Sequence, residues 1–593
     1  MTSFERRLRE KIIVFDGATG TNLQLMNLTA DDFGGEALNG CNEHLVFTRP
    51  DAVERLHASF FAAGCDVVET DTFGSTPIVL GEYDLADQAY EHNRRAAEIA
   101  KKVAQQFSTP NYPRFVAGSM GPTTKLPSLG HISYENMKAA YAVQAAGLVE
   151  GGADLLVVET CQDLLQTKAA LAAVLEYFSQ KKMRVPVIAG VTVETMGTML
   201  LGSDIAAALT ALEPFPLTAI GMNCATGPKE MSENIRYLTA NSPFPVFCMP
   251  NAGLPENVGG HAHYKLTPEE LNQFLSHFVK DLGVQIIGGC CGTRPEHLKL
   301  LAESVGQLAP KSRQVDFVPS AASLYNSTTL HLDPPPLLVG ERLNANGSKQ
   351  FRELLLRQDW DAMVSMAKEQ VREGAHFLDV CAAYVGRDEV ADMIPLIERL
   401  NTQISVPLLV DSTEWQVIDA ALRHVAGRAI VNSINLEDGE ERMIKVLPLC
   451  KKYGAATIAL TIDEQGMAKT AQKKFEIAKR IHDLAVDKYG MRSQDLIFDC
   501  LTFTLGSGDE EFRRSGIETI EAIRRIKKDL PNCYTILGVS NVSFGLNPHA
   551  RHALNSVFLY YAVEAGLDMA IVHASKIMPL HKIVEDEREL HRR

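Results

Sequence analysis

One repeating pattern limits the fold more than any other feature of this sequence. A short run rich in Val, Ile and Leu is followed by a polar or glycine-rich turn and then by an amphipathic helical stretch. The first half carries eight such runs, at 12–17, 66–71, 114–121, 155–160, 186–193, 219–224, 245–253 and 285–292. The second half carries eight more, at 337–344, 377–382, 407–413, 429–435, 457–463, 496–503, 535–541 and 570–575. Continuous apolar runs, without alternation, predict parallel strands buried on both faces. Stretches such as 49–64 and 360–375 supply the intervening helices. Eight βα units in about 250–300 residues is the size of a (β/α)8 barrel.

The expected fold class is therefore α/β, with two tandem (β/α)8 TIM barrels joined by a Ser/Pro-rich connector. The first barrel is expected at 1–310 and the second at 337–585. Between them, 311–336 is rich in Ser, Thr and Pro and includes a triple proline, which reads as a connector. An ordered surface segment packed along the barrels is an equal alternative. The charged stretch 586–593 reads as the start of a further linker.

Charge and composition exclude other classes. The formal net charge is −15, from 58 basic and 73 acidic residues, and no Lys/Arg-rich run occurs, so no nucleic-acid partner is expected. Aromatic residues make up only 7 %, with two Trp, which argues against base-stacking platforms. No apolar run is long enough to span a bilayer, and the N-terminus lacks a signal-peptide core, so the expectation is a cytoplasmic enzyme with no membrane partner. Eleven cysteines, an odd number, do not suggest a disulfide framework.

Nearly every predicted strand ends in a polar or glycine-rich group. In a barrel those ends share one rim, where active sites sit. Three cysteines fall there in the first half: Cys224 ends GMNC, and Cys290 and Cys291 lie in GGCCGT. Three thiolates form a tripod for zinc and leave one position open, as in catalytic sites. Glycines 288, 289 and 292 are expected to bend the backbone so that neighbouring thiols reach one metal. Such a zinc would bind an incoming thiol and hold it as a thiolate at neutral pH, ready for alkylation. His261 and His263 are rival ligands by residue type, and buried structural cysteines are the plainer alternative.

The pattern DGATGT (16–21), VVET (157–160), GMNC, PNAGLP (250–255) and GGCCGT resembles the zinc-dependent homocysteine methyltransferases over roughly 1–310. The resemblance implies Cys224, Cys290 and Cys291 as zinc ligands. It implies homocysteine binding by Asp16, Gly17, Glu159, Thr160 and Asn251. Carboxylates suit the ammonium of an amino acid, and backbone amides of the 17–20 loop suit its carboxylate.

The second rim lacks a cysteine cluster. It carries GERLNANGSK (340–349), VDST (410–413), NSIN (432–435), FDCLTF (498–503) and SNVSFGL (540–546). Carboxylates and amides suit a neutral heterocycle with many donors and acceptors, such as a pterin. These motifs resemble the pterin-binding barrels, and SNVSFGLNPHARHALN (540–555) resembles their methyltransferase branch. The resemblance implies folate contacts from Asp411, Asn432, Asp499 and Asn541, with Glu341, Asn344, Asp379 and Ser540 nearby. Arg551 is the candidate for the folate tail. Release of a methyl group from a tertiary amine needs protonation at the pterin N5. Asn541 and Asp499 are the catalytic candidates for that step, with Asp463 a weaker alternative.

A thiol-activating barrel followed by a methyl-pterin barrel resembles the cobalamin-dependent methionine synthases as a family. That resemblance implies methyl transfer from 5-methyltetrahydrofolate to cob(I)alamin at the second barrel. It implies transfer from methylcobalamin to zinc-bound homocysteine at the first. No DxHxxG cobalamin motif occurs in the chain. Cobalamin is therefore expected on a module supplied in cis, if this is a fragment, or in trans. The alternatives are a zinc-dependent thiol methyltransferase with another donor or thiol, or a non-catalytic zinc- and folate-binding scaffold.

Overall fold

The structure is a computed structural model that describes residues 1–258, 261–505 and 512–585. The expected linker start at 586–593 and the side chain of His261 lie outside the described residues. The chain divides into two compact units, one Met1–Phe317 and the other from Val318 onward.

The first unit is an eight-stranded parallel sheet built from β1 (Ile13–Val14), β2 (Val67–Glu69), β3 (Phe115–Met120), β4 (Leu155–Cys161), β5 (Val187–Val191), β6 (Ala219–Asn223), β7 (Val246–Met249) and β8 (Ile286–Ile287). Each strand pairs with its sequence neighbour. β1 also pairs with β8, and the Phe15–Val67 bridge closes the ring between β1 and β2. Every one of the eight predicted runs contains one strand. Except at β4, which runs one residue beyond its predicted run, the runs extend past the strands because the polar residues at their C-terminal ends already belong to the rim loops.

Apolar side chains from alternate strand positions fill the barrel. Ile13, Phe15, Val67, Phe115, Ala117, Leu155, Val157, Ile188, Phe247 and Ile286 form one buried cluster. The N-terminal helix α1 (Ser3–Glu10) adds Phe4 and Leu8 to that cluster, with the Phe4 ring edge-on to Phe115 at 5.5 Å. This helix has a complete capping box between Thr2 and Glu5, which satisfies its first amides.

The second unit is a closed barrel of β9 (Leu337–Asn344), β10 (Phe377–Cys381), β11 (Leu408–Asp411), β12 (Ile430–Ile434), β13 (Ala456–Leu460), β14 (Leu496–Asp499), β15 (Tyr534–Gly538) and β16 (Met569–Val572). Its interior is packed by Leu337, Val339, Phe377, Leu409, Ile430, Ile458, Ile497, Ile536 and Met569.

The 311–336 stretch is ordered against each unit in turn. Arg313 donates to the carbonyls of Thr239 and Phe244, both at 2.6 Å, in the first unit. Further on, Ser320–Ala322 and Ser327–Thr329 form an antiparallel hairpin in the second unit. Ala321 and Leu330 join the core of the second barrel. The fully buried Arg428 binds this hairpin, donating to Ser320 O at 2.8 Å and Gly454 O at 2.9 Å while pairing with Asp495.

Local irregularity falls on the strands that carry rim residues. Pairing registers shift between Val158 and Cys161, between Gly340 and Leu343, and between Asn432 and Ile434. Such bulges re-aim side chains at a barrel rim. Here they lie on Glu159–Thr160, Glu341–Arg342 and Ser433.

Candidate functional sites

In the first barrel the sulfurs of Cys224, Cys290 and Cys291 all lie within 4.8 Å of one another. Among the described residues this is the one group of three or more His, Cys, Asp or Glu side chains with that geometry. Cys224 and Cys291 are 3.8 Å apart, sulfur to sulfur. These three thiols are partly exposed, whereas the other eight cysteines are buried.

The backbone is held firmly around them. Cys224 and Ala225 both adopt left-handed conformations, at φ 61°, which cost energy and recur at functional sites. The Cys224 amide donates to Met249 O at 3.1 Å and the Cys290 amide to Pro250 O at 2.8 Å. Thr293 donates its hydroxyl to Cys290 O at 2.6 Å.

The glycines act differently from the sequence expectation. Only Gly292 of the three has positive φ, at 80°. Gly288 and Gly289 are instead required by space: a Cβ would lie 2.8 Å from Phe15 Cβ and 2.3 Å from Thr293 Oγ1. The turn is set by close packing as much as by bending.

The thiols open into a cavity of about 230 Å³ walled by Gly17–Thr21, Glu43, Glu69, Asp71, Phe73, Ser119 and Glu159. Its carboxylates are tightly held. Glu159 accepts from Ser119 Oγ at 2.6 Å and from Asn223 Nδ2 at 2.9 Å. Asp16 accepts the Glu69 amide at 3.0 Å. Burial pushes Asp16 well above the usual carboxylate range, against the Glu69 hydrogen bond and reinforced by the Glu159 charge. Burial, then the charges of Glu159 and Asp16, push Glu69 up as well. Asp16 Oδ1, Glu69 Oε1 and Asp71 Oδ2 are buried without a hydrogen-bond partner. Such orphaned acceptors call for a cationic or hydrogen-bond-donating ligand.

Of the residues assigned from sequence, Gly17 and Glu159 line this cavity with the thiols, and Asp16 is buried next to Gly17, bonded to the amide of the lining residue Glu69. Thr160 stands behind it, its amide donating to Asn223 Oδ1 at 2.9 Å. Asn251 lies beside the cysteine turns, its amide donating to Thr226 O at 3.0 Å. Sequence reasoning did not assign Glu43, Glu69 or Asp71 to the site. Glu69 was visible as a strand end; Glu43 sits in the long β1 loop and carries no local signal. His263 is exposed and is not part of the thiol group.

In the second barrel the rim residues converge through hydrogen bonds. Asn344 Nδ2 donates to Asp379 Oδ2 and to Asp411 Oδ2, each at 3.1 Å. Asn432 Nδ2 reaches Asp379 Oδ1 at 3.4 Å. Ser540 Oγ donates to Glu341 Oε2 at 3.0 Å. Burial lifts Asp379 to about 6, opposed by Asn344 and Asn432. Burial, then the Asp379 charge, lifts Asp411 to about 8. Asp499 is lifted to about 6 by burial, opposed by the Leu501 amide, which donates to it at 2.7 Å.

Asn541 is exposed beside Gly538. Arg551 Nε donates to Ser543 Oγ at 3.3 Å, and its charge acts on Glu341. Asp463 is paired with Lys473 at 2.6 Å. Arg442, which the sequence did not single out, donates to Ser412 O at 2.7 Å, to Ser433 O at 2.9 Å and to Thr413 O. It thus ties the loop that follows Asp411 to the β12 bulge at Ser433.

Each of the two barrels matches a known family model. The model of the family "Homocysteine S-methyltransferase" matches residues 13–305, and that of "Pterin binding enzyme" matches 340–573. Over nearly all of its length the chain is similar to curated methionine synthases. It is 50 % identical over 586 residues to the methionine synthase of Mycobacterium tuberculosis, covering 98 % of this chain and 49 % of that protein. It is 49 % identical to that of Mycobacterium leprae, covering 99 % and 49 %. The chain thus spans about half the length of the curated relatives it matches. Among solved structures it is similar to the metallated homocysteine methyltransferase MmuM from Escherichia coli, at 21 % identity and TM-score 0.41, over 50 % of this chain and 96 % of that one. Among the described residues no helix is long and apolar enough to cross a membrane.

Proposed function

We propose that the chain is the methyltransferase portion of a cobalamin-dependent methionine synthase. The methyl group passes from 5-methyltetrahydrofolate to cob(I)alamin at the second barrel, and from methylcobalamin to homocysteine at the first. Cobalamin is carried by a module outside the chain. The observation that carries this reading is the three convergent thiols beside buried carboxylates with orphaned oxygens, all in one cavity.

The donor set fits zinc: three sulfurs close enough to share one ion, partly exposed, with a cavity beside them. Cys224, Cys290 and Cys291 would hold it. When bound, zinc supplies a positive centre that lowers the pKa of a substrate thiol. The chain's own residues do the rest. Asp16, Glu69 and Glu159 receive the substrate's ammonium. Amides of the 17–21 loop receive its carboxylate. Asn223, adjoining Cys224, fixes the orientation of Glu159. The short cavity then leaves the substrate sulfur next to the cysteine sulfurs, in position for in-line attack on a methyl donor.

At the second barrel Asp379, Asp411, Asn432 and Asp499 offer acceptors and donors to the pterin ring, with Glu341, Asn344, Ser540 and Asn541 around them. Arg551 takes the tail carboxylates. Protonation at N5 makes the pterin amine a leaving group; Asn541 and the ionised Asp499 are the residues assigned to stabilise the protonated pterin by hydrogen bonding.

The test is methionine formation from homocysteine and free methylcobalamin by the purified chain, before and after zinc removal and re-addition. Zinc-dependent methionine is the expected result. Absence of product from fully zinc-loaded chain overturns the assignment of homocysteine as acceptor.

A further inference from the structure

Lys474 is the most deeply buried ammonium beside either site. It lies on the helix Ala471–Asp483 and its side chain has no solvent exposure. Its Nζ donates to Cys500 O at 2.5 Å and to Leu501 O at 3.1 Å, the two carbonyls that follow Asp499. Thr519 Oγ1 also donates to Leu501 O, at 2.8 Å. Leu501 is held at φ 54°, a conformation that a leucine rarely adopts and that its surroundings must impose. In that conformation its amide turns back to Asp499 Oδ1 at 2.7 Å.

We propose that Lys474 is a positioning residue for the pterin site: by clamping the Cys500 and Leu501 carbonyls it aims the Asp499 carboxylate at the ligand and keeps it ionised. The inference rests on the pterin reading of the second barrel. The physical reason is twofold. A carboxylate that accepts hydrogen bonds from a heterocycle's N–H groups must be ionised and must point at them. Burial works against ionisation at Asp499, and the nearby ammonium and the Leu501 amide work with it. The charged and titratable groups around the ammonium are Asp499, Glu518 and the Cys500 thiol. Glu518 is already engaged by the Ala471 amide at 2.7 Å.

The test measures 5-methyltetrahydrofolate binding against pH for the wild-type chain and for Lys474→Met, with zinc content as a control on the first barrel. Loss of charge-assisted hydrogen bonding predicts binding weakened roughly 10–100-fold at pH 7. The acid limb of the pH profile is expected to move to higher pH, and zinc content to stay unchanged. A folded Lys474→Met with wild-type affinity and an unmoved acid limb overturns the proposal. So does weakened binding with an unmoved limb, because a purely structural lysine gives that pattern. Should Lys474→Met fail to fold, Lys474→Gln retains an N–H donor for the carbonyls without the charge. Its expected signature is a moved acid limb, and an unmoved limb overturns the proposal. Wild-type chain that binds no folate at any pH is a distinct result: it defeats the pterin reading itself, and this inference with it.

Discussion

The carboxylate of Asp16 accepts the backbone amide of Glu69 at 3.0 Å, leaving its other oxygen buried and without a partner. One strand end thereby orients the acid of its neighbour and leaves a buried acceptor unfilled. Glu159 completes the group from β4, tied by Asn223, the last residue of β6, to the turn that carries Cys224. The ammonium-binding and sulfur-binding ends of the cavity are mechanically linked through that asparagine.

Replacing Glu159 by Gln removes a charge from this group while conserving its shape. A charge-assisted hydrogen bond contributes about 1.5–3 kcal/mol, so the KM for homocysteine should rise roughly 10–150-fold. Metal content should be unchanged. Steady-state kinetics with methylcobalamin, beside metal analysis of the same sample, reads both quantities.

Loss of one thiol acts on the metal directly. Cys290→Ser should weaken zinc binding by more than the roughly 10–100-fold that loss of an outer-shell partner costs. Folate binding by the second barrel should be untouched. Competition with a chromophoric chelator measures the first, and calorimetry with 5-methyltetrahydrofolate the second.

Space constrains the cysteine turn. In Gly289→Ala the new Cβ would meet Thr293 Oγ1 at 2.3 Å and displace the hydroxyl that binds Cys290 O. Overpacking of this kind costs about 1–3 kcal/mol. The expected result is a lower melting temperature for the first barrel together with lower zinc occupancy. Unchanged occupancy would show that the turn relaxes without moving the thiols.

The second rim predicts a pH dependence of definite sign. Asp411 and Asp379 sit at about 8 and about 6 in the folded chain, above the ordinary carboxylate value. The folded state therefore holds protons that the unfolded state has released, and stability falls as pH rises across roughly pH 4–8. Asp411→Asn should flatten the upper part of that fall. A ligand donating N–H groups to these carboxylates favours their ionised form, so folate binding should release protons near pH 7. Calorimetry in two buffers of different ionisation enthalpy counts them.

Arg428 tests the hairpin that closes the second barrel. Removing the guanidinium leaves Asp495 buried and lacking that partner, a change that costs about 3–5 kcal/mol in comparable buried pairs. Arg428→Ala should therefore lower the unfolding temperature of the second unit and leave the first unit's transition in place. Differential scanning calorimetry resolves the two.

The sequence by itself determined the two barrels and their rims. Sixteen apolar runs of strand length leave parallel βα units as the economical way to bury them, and parallel strands place all their C-terminal ends together. The thiol tripod was legible for the same reason, because Cys224, Cys290 and Cys291 close two of those runs. Tertiary structure alone decided which neighbours complete each site. Glu43 reaches the cavity from a long loop, and Arg442 and Lys474 reach the second rim from helices that follow other strands. No local pattern encodes such contacts, because they depend on side-chain reach across the barrel. The same holds for Gly288 and Gly289. Their need for a missing Cβ comes from Phe15 and Thr293, one of them more than 270 residues away in the chain. Local periodicity sets the direction of every strand, but the close approach of distant backbones, which only packing creates, fixes what each rim residue can touch.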